Sequence, residues 1–307
     1  LVGQGVELGN AQSELRAFIE KADMPAGCTL LGLSALPTDH PLNKGMLGMH
    51  GNLGPNINTN KCDVLIAVGM RFDDRVTGNL ATYAKQAKVI HFDIDPAEVN
   101  KNVKVDIAVL GDCKNTLAAV TGLLKENKHT EWNDSFKEYE KVEEEKVIRP
   151  ELYPATDSLT MGEVARAVSE ATHHEAVLVT DVGQNQIWSC GYHIVKKGQF
   201  LTSGGMGTMG YSIPAALGAK LADKKRQVIA VCGDGSFQMS MMELATMRQY
   251  QVPVKIIVLK NNYLGMVREY QHYTYQDHYS VVDLSGSPDL ELLAPAFGMK
   301  YLRLENM

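Results

Sequence analysis

The chain has 307 residues, 45% of them hydrophobic and 21% charged, with a formal net charge of −6. That length suggests two ordinary domains; the acidic balance without a basic cluster argues against nucleic-acid binding, and no apolar run approaches the ~20 residues of a membrane span. No signal peptide opens the chain, and five scattered cysteines without a CxxC pair read as reduced, buried thiols of a cytoplasmic protein, with no support for a zinc site.

In chain order, the first half alternates helical and strand patterns. Leu15, Phe18, Ile19 and Ala22 form a helical stripe over 11–22. Asp63–Gly69 (DVLIAVG), Lys88–Asp95 (KVIHFDID) and Asp106–Leu110 read as buried strands, Pro96 as the opening of a helix, and Asn115–Lys125 as a helix. Residues 131–148 are dense in Glu and Lys, which predicts a solvated helix with i,i+4 charge pairs. Arg149-Pro150 and Tyr153-Pro154 then mark a linker.

The second half repeats the pattern without repeating the sequence. Thr160 caps a predicted helix to Thr172, Ala176–Asp181 is a strand, and Gly183 leads a helix start. A glycine-rich loop, Ser203–Gly210, precedes a small-residue helix over Tyr211–Ala222. The fold class is therefore α/β, with two doubly wound parallel-sheet domains. The expected division is 1–130, a charged helix and linker over 131–155, and 156–307. The chain starts at Leu1 and ends YLRLENM, and neither end reads as a natural terminus; a piece of a longer polypeptide is expected.

The most informative stretch is Val228–Asn262. An apolar strand ends in Gly233-Asp234-Gly235; a helical crossover leads to a second apolar strand, ending in Asn261-Asn262. A right-handed crossover brings the carboxyl ends of parallel strands to one edge, where open α/β sheets bind ligands. Asp234 and Asn261 would meet there. One carboxylate and one amide oxygen suit Mg²⁺, which keeps few protein oxygens and completes its shell with phosphates and water. The flanking glycines allow close approach to a diphosphate. A lone Gly-Asp-Gly is also a common turn.

GDG, this interval and NN together resemble the thiamine diphosphate motif. MLGMHG (46–51), GMRFDDRVTG (69–78), HFDIDPAEVNKN (91–102), TSGGMGTMGYSIPAALGA (202–219) and GMVREYQ (265–271) narrow the likeness. The whole chain resembles the catalytic subunits of the acetolactate synthase (acetohydroxyacid synthase) family, in its flavin-containing biosynthetic form. That resemblance implies a central FAD-binding domain and a diphosphate-side thiamine diphosphate domain. It also implies a preceding pyrimidine-binding domain, carrying an essential glutamate, outside this sequence, so that this piece alone should be inactive.

The resemblance implies metal ligation by Asp234, Asn261 and the Tyr263 carbonyl. Gly235 and Ser236 would offer backbone and hydroxyl donors to phosphate, beside Gly183, Gln184 and Asn185, whose alternative reading is an ordinary helix start. Met209 would prop the coenzyme rings into a V, with Gly207 as a backbone partner and Met266 as apolar wall; Met209 as core filler is the alternative. The implied FAD contacts are Gly3, Gly5, Thr29, Leu30, Leu47, Gly48, Met49, His50, Gly51, Gly69, Arg71, Asp73, Arg75, Val76, Asp93, Ile94 and Asp112. A surface salt-bridge knot is the alternative for Arg71, Asp73 and Arg75. Met49, Arg75 and Tyr270 would shape the second-substrate pocket, with Tyr270 in place of the family's tryptophan, so acceptor preference should differ.

The implied reaction decarboxylates pyruvate and transfers the hydroxyethyl group to pyruvate or 2-oxobutyrate, with FAD in a structural role. A homodimer or homotetramer and a small regulatory subunit are the implied partners. Two other readings stay open: another 2-oxo acid thiamine enzyme (glyoxylate carboligase or a decarboxylase), and a non-catalytic nucleotide-binding fragment.

Overall fold

The computed structural model describes residues 1–155, 158–195 and 199–305. Thr156 and the terminal Asn306 and Met307, which the expected third segment includes, lie outside the described residues. Contacts divide the chain into two compact units, Leu1–Pro150 and Glu151–Met307. Each is built on parallel strands with α-helical connections.

In the first unit, β1 (Ala26–Cys28) pairs with β2 (Asn43–Met46), and β3 (Val64–Val68), β4 (Lys88–Asp93) and β5 (Ile107–Leu110) pair in that order. Val2 makes parallel bridges to both Cys28 and Val68 and joins the two sets. The resulting order is β2-β1-Val2-β3-β4-β5. The chain thus builds outward on one side of Val2 and then resumes on the other, which opens a crevice between the loops that follow Val2 and β3.

The expected helical stripe appears as the helix Gln12–Ala22, which buries Leu15, Phe18, Ile19 and Ala22. The first three join Leu117 of the helix Cys113–Leu123 and Val68 and Phe92 of the sheet in one cluster. Phe18 meets Phe92 edge-on at 6.1 Å. Each such side chain contributes ~1.5–3 kcal/mol on burial. A cavity of about 890 Å³ in this unit is lined mainly by apolar side chains, and among the predicted site residues only Leu47 borders it.

Three expectations here need correction. β5 is a strand but not a buried one, with Ile107 and Leu110 both exposed. No helix follows Pro96: residues 96–100 are turns, with Asp95 accepting from the Ala97 N–H at 2.9 Å and Asn100 left-handed at φ 62°. The left-handed Asn100 closes the run within five residues and ends any helical ladder there. The charged segment is not one solvated helix. It breaks into Thr130–Asp134, Lys137–Glu143, a π-helical Glu144–Ile148 and Arg149–Leu152. Phe136 is buried, stacked edge-on against Trp132 and capped by the Lys44 ammonium, so one side of this segment packs on the first unit.

The second unit has strand order β7-β6-β8-β9, all parallel, from β6 (Val177–Thr180), β7 (Gln199–Thr202), β8 (Val228–Gly233) and β9 (Lys255–Leu259). Direction reverses between β6 and β8, so a second crevice opens there. Thr160 and Glu163 form a full capping box on the helix Met161–Ala171. The small-residue helix is Ser212–Ala222, and the crossover from β8 to β9 is two helices, Asp234–Ser240 and Glu243–Gln249. Val177, Val179, Ala216, Val228 and Ala230 form one core cluster, and Ile213, Cys232, Phe237, Leu244 and Met247 a second. Among the described residues no helix is long and apolar enough to cross a membrane.

Candidate functional site

At the β6/β8 reversal, one cleft of about 90 Å³ gathers Gly183, Gln184, Asn185, Met209, Asp234, Gly235, Ser236, Asn261, Tyr263 and Met266. Every predicted diphosphate-side and metal residue except Gly207 lines it. Gly207 sits two residues from Met209, exposed, at φ 62°.

Asp234 is 3% exposed. Its Oδ1 accepts from the Gly235 N–H at 3.1 Å and its Oδ2 from the Asn262 N–H at 2.8 Å. The end of β8 is thereby tied to the residue after Asn261. Asn261 folds back so that its Oδ1 accepts from the Tyr263 N–H at 2.9 Å. Both side-chain oxygens retain lone pairs. Among the described residues no group of three or more His, Cys, Asp or Glu side chains is placed to hold a metal. A cation here would meet one carboxylate plus neutral oxygens, a donor set that suits Mg²⁺ carried by a diphosphate.

Ser236 departs from expectation. Its hydroxyl, expected to donate to phosphate, donates instead to the Val182 carbonyl at 3.2 Å, because the side chain is buried against the neighbouring strand end. Its backbone N–H is the donor left to that role. Asn185 is likewise braced: its Nδ2 donates to the carbonyls of Asp181 at 2.8 Å and Val231 at 3.3 Å. Gln184 donates to Glu269 Oε2 at 3.0 Å. Sequence reasoning missed Glu269, because a glutamate on a helix carries no local signal. It also missed Leu264 and Gly265, which line the cleft and could have been inferred from their adjacency to Tyr263.

The crevice of the first unit is a cavity of about 370 Å³ that gathers Gly5, Thr29, Gly69, Arg71, Asp73, Asp93, Ile94 and Asp112 of the expected flavin contacts. It also gathers Gln4, Gly9 and Glu98, which lacked a sequence signal. Gly69 is left-handed at φ 58°, and a Cβ on it would lie 2.6 Å from Gly5 Cα. The two loops touch backbone to backbone, and only glycine permits that. Gly3 is buried beneath, donating its N–H to Val68 O at 2.9 Å.

The acidic residues here have structural work too. Asp112 Oδ1 caps the helix Cys113–Leu123 by accepting from Lys114 and Asn115 N–H groups. Asp73 caps Asp74–Thr77 by accepting from Arg75 N–H. Asp93 accepts from the Asp95 N–H at 2.9 Å and lies 3.4 Å from Nε2 of the fully buried His91. Arg71 reaches Asp73 at 3.9 Å only and is exposed, so its guanidinium keeps donors for a phosphate.

A separate cluster holds the remaining flavin-type residues. Met49 N–H donates to Arg75 O at 2.8 Å, and Asn56 pairs with both the N–H and C=O of Gly48 at 2.9 Å. Leu47, Gly48, Met49, His50, Gly51, Arg75 and Val76 thus form one loop–helix junction, with Arg75 Nη1 3.9 Å from Met49 Sδ. None of them lines the 370 Å³ cavity. Leu30 opens a short 3₁₀ turn, Leu30–Gly32, and it too lies outside that lining. Tyr270 belongs to the helix Gly265–Tyr275 of the second unit, is 58% exposed and packs edge-on against Tyr275; it does not line the diphosphate-side cleft.

Two doubly wound parallel units, one with a carboxylate–amide pair at its reversal point, define a nucleotide- or coenzyme-binding α/β protein. The chain belongs to the thiamine pyrophosphate enzymes: residues 1–120 match the model of their central domain, and residues 181–307 that of their C-terminal TPP binding domain. It is 42% identical to the acetolactate synthase large subunit of Lactococcus lactis subsp. lactis (strain IL1403), across 100% of this chain and 53% of that protein. It is 41% identical to the acetolactate synthase isozyme 2 large subunit of Escherichia coli (strain K12), across 97% of this chain and 53% of that one. The probable acetolactate synthase large subunit of Methanocaldococcus jannaschii is also 41% identical, across 99% and 52%. The chain spans about half the length of the curated relatives it matches.

Proposed function

We propose that this chain is the FAD-binding-type and diphosphate-side portion of an acetolactate synthase catalytic subunit. The observation that carries the reading is the pairing of Asp234 with the Asn261–Tyr263 turn at the β6/β8 reversal. There Asp234, Asn261 and the Tyr263 carbonyl hold Mg²⁺. Gly183, Gln184, Asn185, Gly235 and the Ser236 N–H face the diphosphate. Met209 and Met266 supply the apolar wall against the rings, with Gly207 offering backbone to the pyrimidine.

Bound thiamine diphosphate supplies the electron sink for decarboxylation and carbon–carbon bond formation. The protein's part is to hold the coenzyme bent and to keep water from the reacting carbon. Residues 1–130 of the first unit would hold FAD at the 370 Å³ crevice, where Arg71 is suited to its phosphates. The residues assigned to the acceptor are Met49 and Arg75, in contact in the first unit, and Tyr270 on the helix Gly265–Tyr275 of the second. The substrates are pyruvate, as donor, and pyruvate or 2-oxobutyrate as acceptor. The relatives are named large subunits, which supports a small partner subunit; the reading makes that partner regulatory and the catalytic chains a homo-oligomer. Five free cysteines, four of them buried, support a cytoplasmic protein.

The test is a product assay. The full-length gene product is given pyruvate with Mg²⁺, thiamine diphosphate and FAD, and acetolactate and acetaldehyde are quantified separately. Acetolactate supports the reading. Acetaldehyde alone moves it to a decarboxylase, and carboligation of glyoxylate but not pyruvate moves it to a glyoxylate carboligase.

A further inference from the structure

Asp181, at the carboxyl end of β6, is 0% exposed, yet it is neither a metal ligand nor part of the cleft lining. An isolated buried carboxylate is costly unless hydrogen bonds satisfy it. Here three backbone donors do so. Oδ1 accepts from Val182 N–H at 2.9 Å and Gly210 N–H at 2.9 Å, and Oδ2 accepts from Ser212 N–H at 2.8 Å. Two of these donors lie immediately beyond Met209, at the junction of the glycine loop and the helix Ser212–Ala222.

The backbone of Asp181 is equally committed. Its N–H donates to Val231 O of β8 at 2.8 Å, and its carbonyl accepts from Asn185 Nδ2 at 2.8 Å. One residue therefore joins the three segments that build the cleft: the β6 end, the β8 strand and the Met209 loop. The far side of that loop is held by Ser203, whose carbonyl accepts from Gly207 N–H at 3.2 Å and whose Oγ accepts from Thr208 N–H at 3.0 Å. Met209 sits between these two anchors, with its Cε 3.7 Å from where a Cβ on Gly235 would lie.

We propose that Asp181 is a positioning residue: its carboxylate clamps the backbone after Met209 and so sets where the Met209 side chain stands over the diphosphate-side cleft. The inference rests on the thiamine diphosphate reading. An amide in its place keeps one acceptor oxygen but turns an NH₂ toward a backbone N–H, so one clamp is lost whichever way the amide faces.

The test uses Asp181→Asn, Met209→Ala and the double variant in the full-length gene product, with thermal unfolding recorded for each. The clamp predicts a kcat lowered on the order of tenfold to a hundredfold in Asp181→Asn, since displacement of a positioning group by about 1 Å has that effect. KM for pyruvate and the coenzyme Kd stay within about threefold of wild type, because binding contacts remain. Adding Asp181→Asn to Met209→Ala then lowers kcat by less than about twofold, because the interaction is already gone. Unchanged kcat in the single variant, or full additivity in the double, overturns the proposal.

If Asp181→Asn does not fold, hydrogen exchange of the wild type decides. Protected Gly210 and Ser212 amides beside fast-exchanging Gly204–Met206 amides support the clamp, and equally fast exchange at all of them overturns it. A wild type that forms no product from pyruvate defeats the functional reading instead, and the exchange measurement still judges the clamp.

Discussion

The backbone N–H of Asn262 donates to Asp234 Oδ2 at 2.8 Å. Two residues 28 positions apart, just beyond β9 and β8, are thereby locked together, and Asn261 is carried to the same edge. The carboxylate both builds the turn and faces the cleft.

Replacing Asp234 by Asn should therefore weaken Mg²⁺-dependent coenzyme binding on the order of a hundredfold, since the only carboxylate among the proposed ligands is gone. The amide oxygen can still accept from Asn262 N–H, so folding should survive. Calorimetric titration against wild type, with the melting temperature of each, checks both halves.

Gly235→Ala and Gly69→Ala should separate binding from stability. A Cβ on Gly235 meets the ends of the Leu264 and Leu284 side chains at 2.7 and 3.0 Å, and both can give way. Leu264 lines the cleft, so coenzyme affinity should fall about tenfold while stability changes by less than about 1 kcal/mol.

A Cβ on Gly69 meets the Gly5 backbone, with φ at 58°, and backbone cannot give way. Gly69→Ala should cost about 1–3 kcal/mol of stability. Urea unfolding of the variant checks it.

The strand–helix–strand unit of the proposed metal site was legible because β8, and β9 beyond Lys255, are apolar and lead into unmistakable turn residues. The reversal points were not: strand order depends on pairing between segments far apart, as Val2 shows by bridging Cys28 and Val68. Asp181 and Glu269 escaped notice because a single acid has no local pattern; what they do appears only once distant backbone and side-chain groups converge on them. Ser236 was read for its hydroxyl, but burial turned that group toward Val182. The Glu/Lys-rich segment was read by charge alone, and one phenylalanine, Phe136, decided its packing.

Stability should also depend on pH through His193, on the segment after the helix Gln184–Tyr192. Burial, and then the neighbouring His174, push its imidazole down from 6.5 to about 4. The folded state keeps it neutral while the unfolded chain binds a proton below 6.5, so its contribution is complete above that pH and is lost as pH falls toward 4. Urea midpoints between pH 7 and about 4 should fall more steeply for wild type than for His193→Gln.

The most direct measurement is titration of thiamine diphosphate into the full-length gene product, with Mg²⁺ and then with excess EDTA. The account predicts saturable binding with Mg²⁺ that is lost in EDTA and in Asp234→Ala. Binding that is equally tight without a divalent cation, or unchanged in Asp234→Ala, would contradict it.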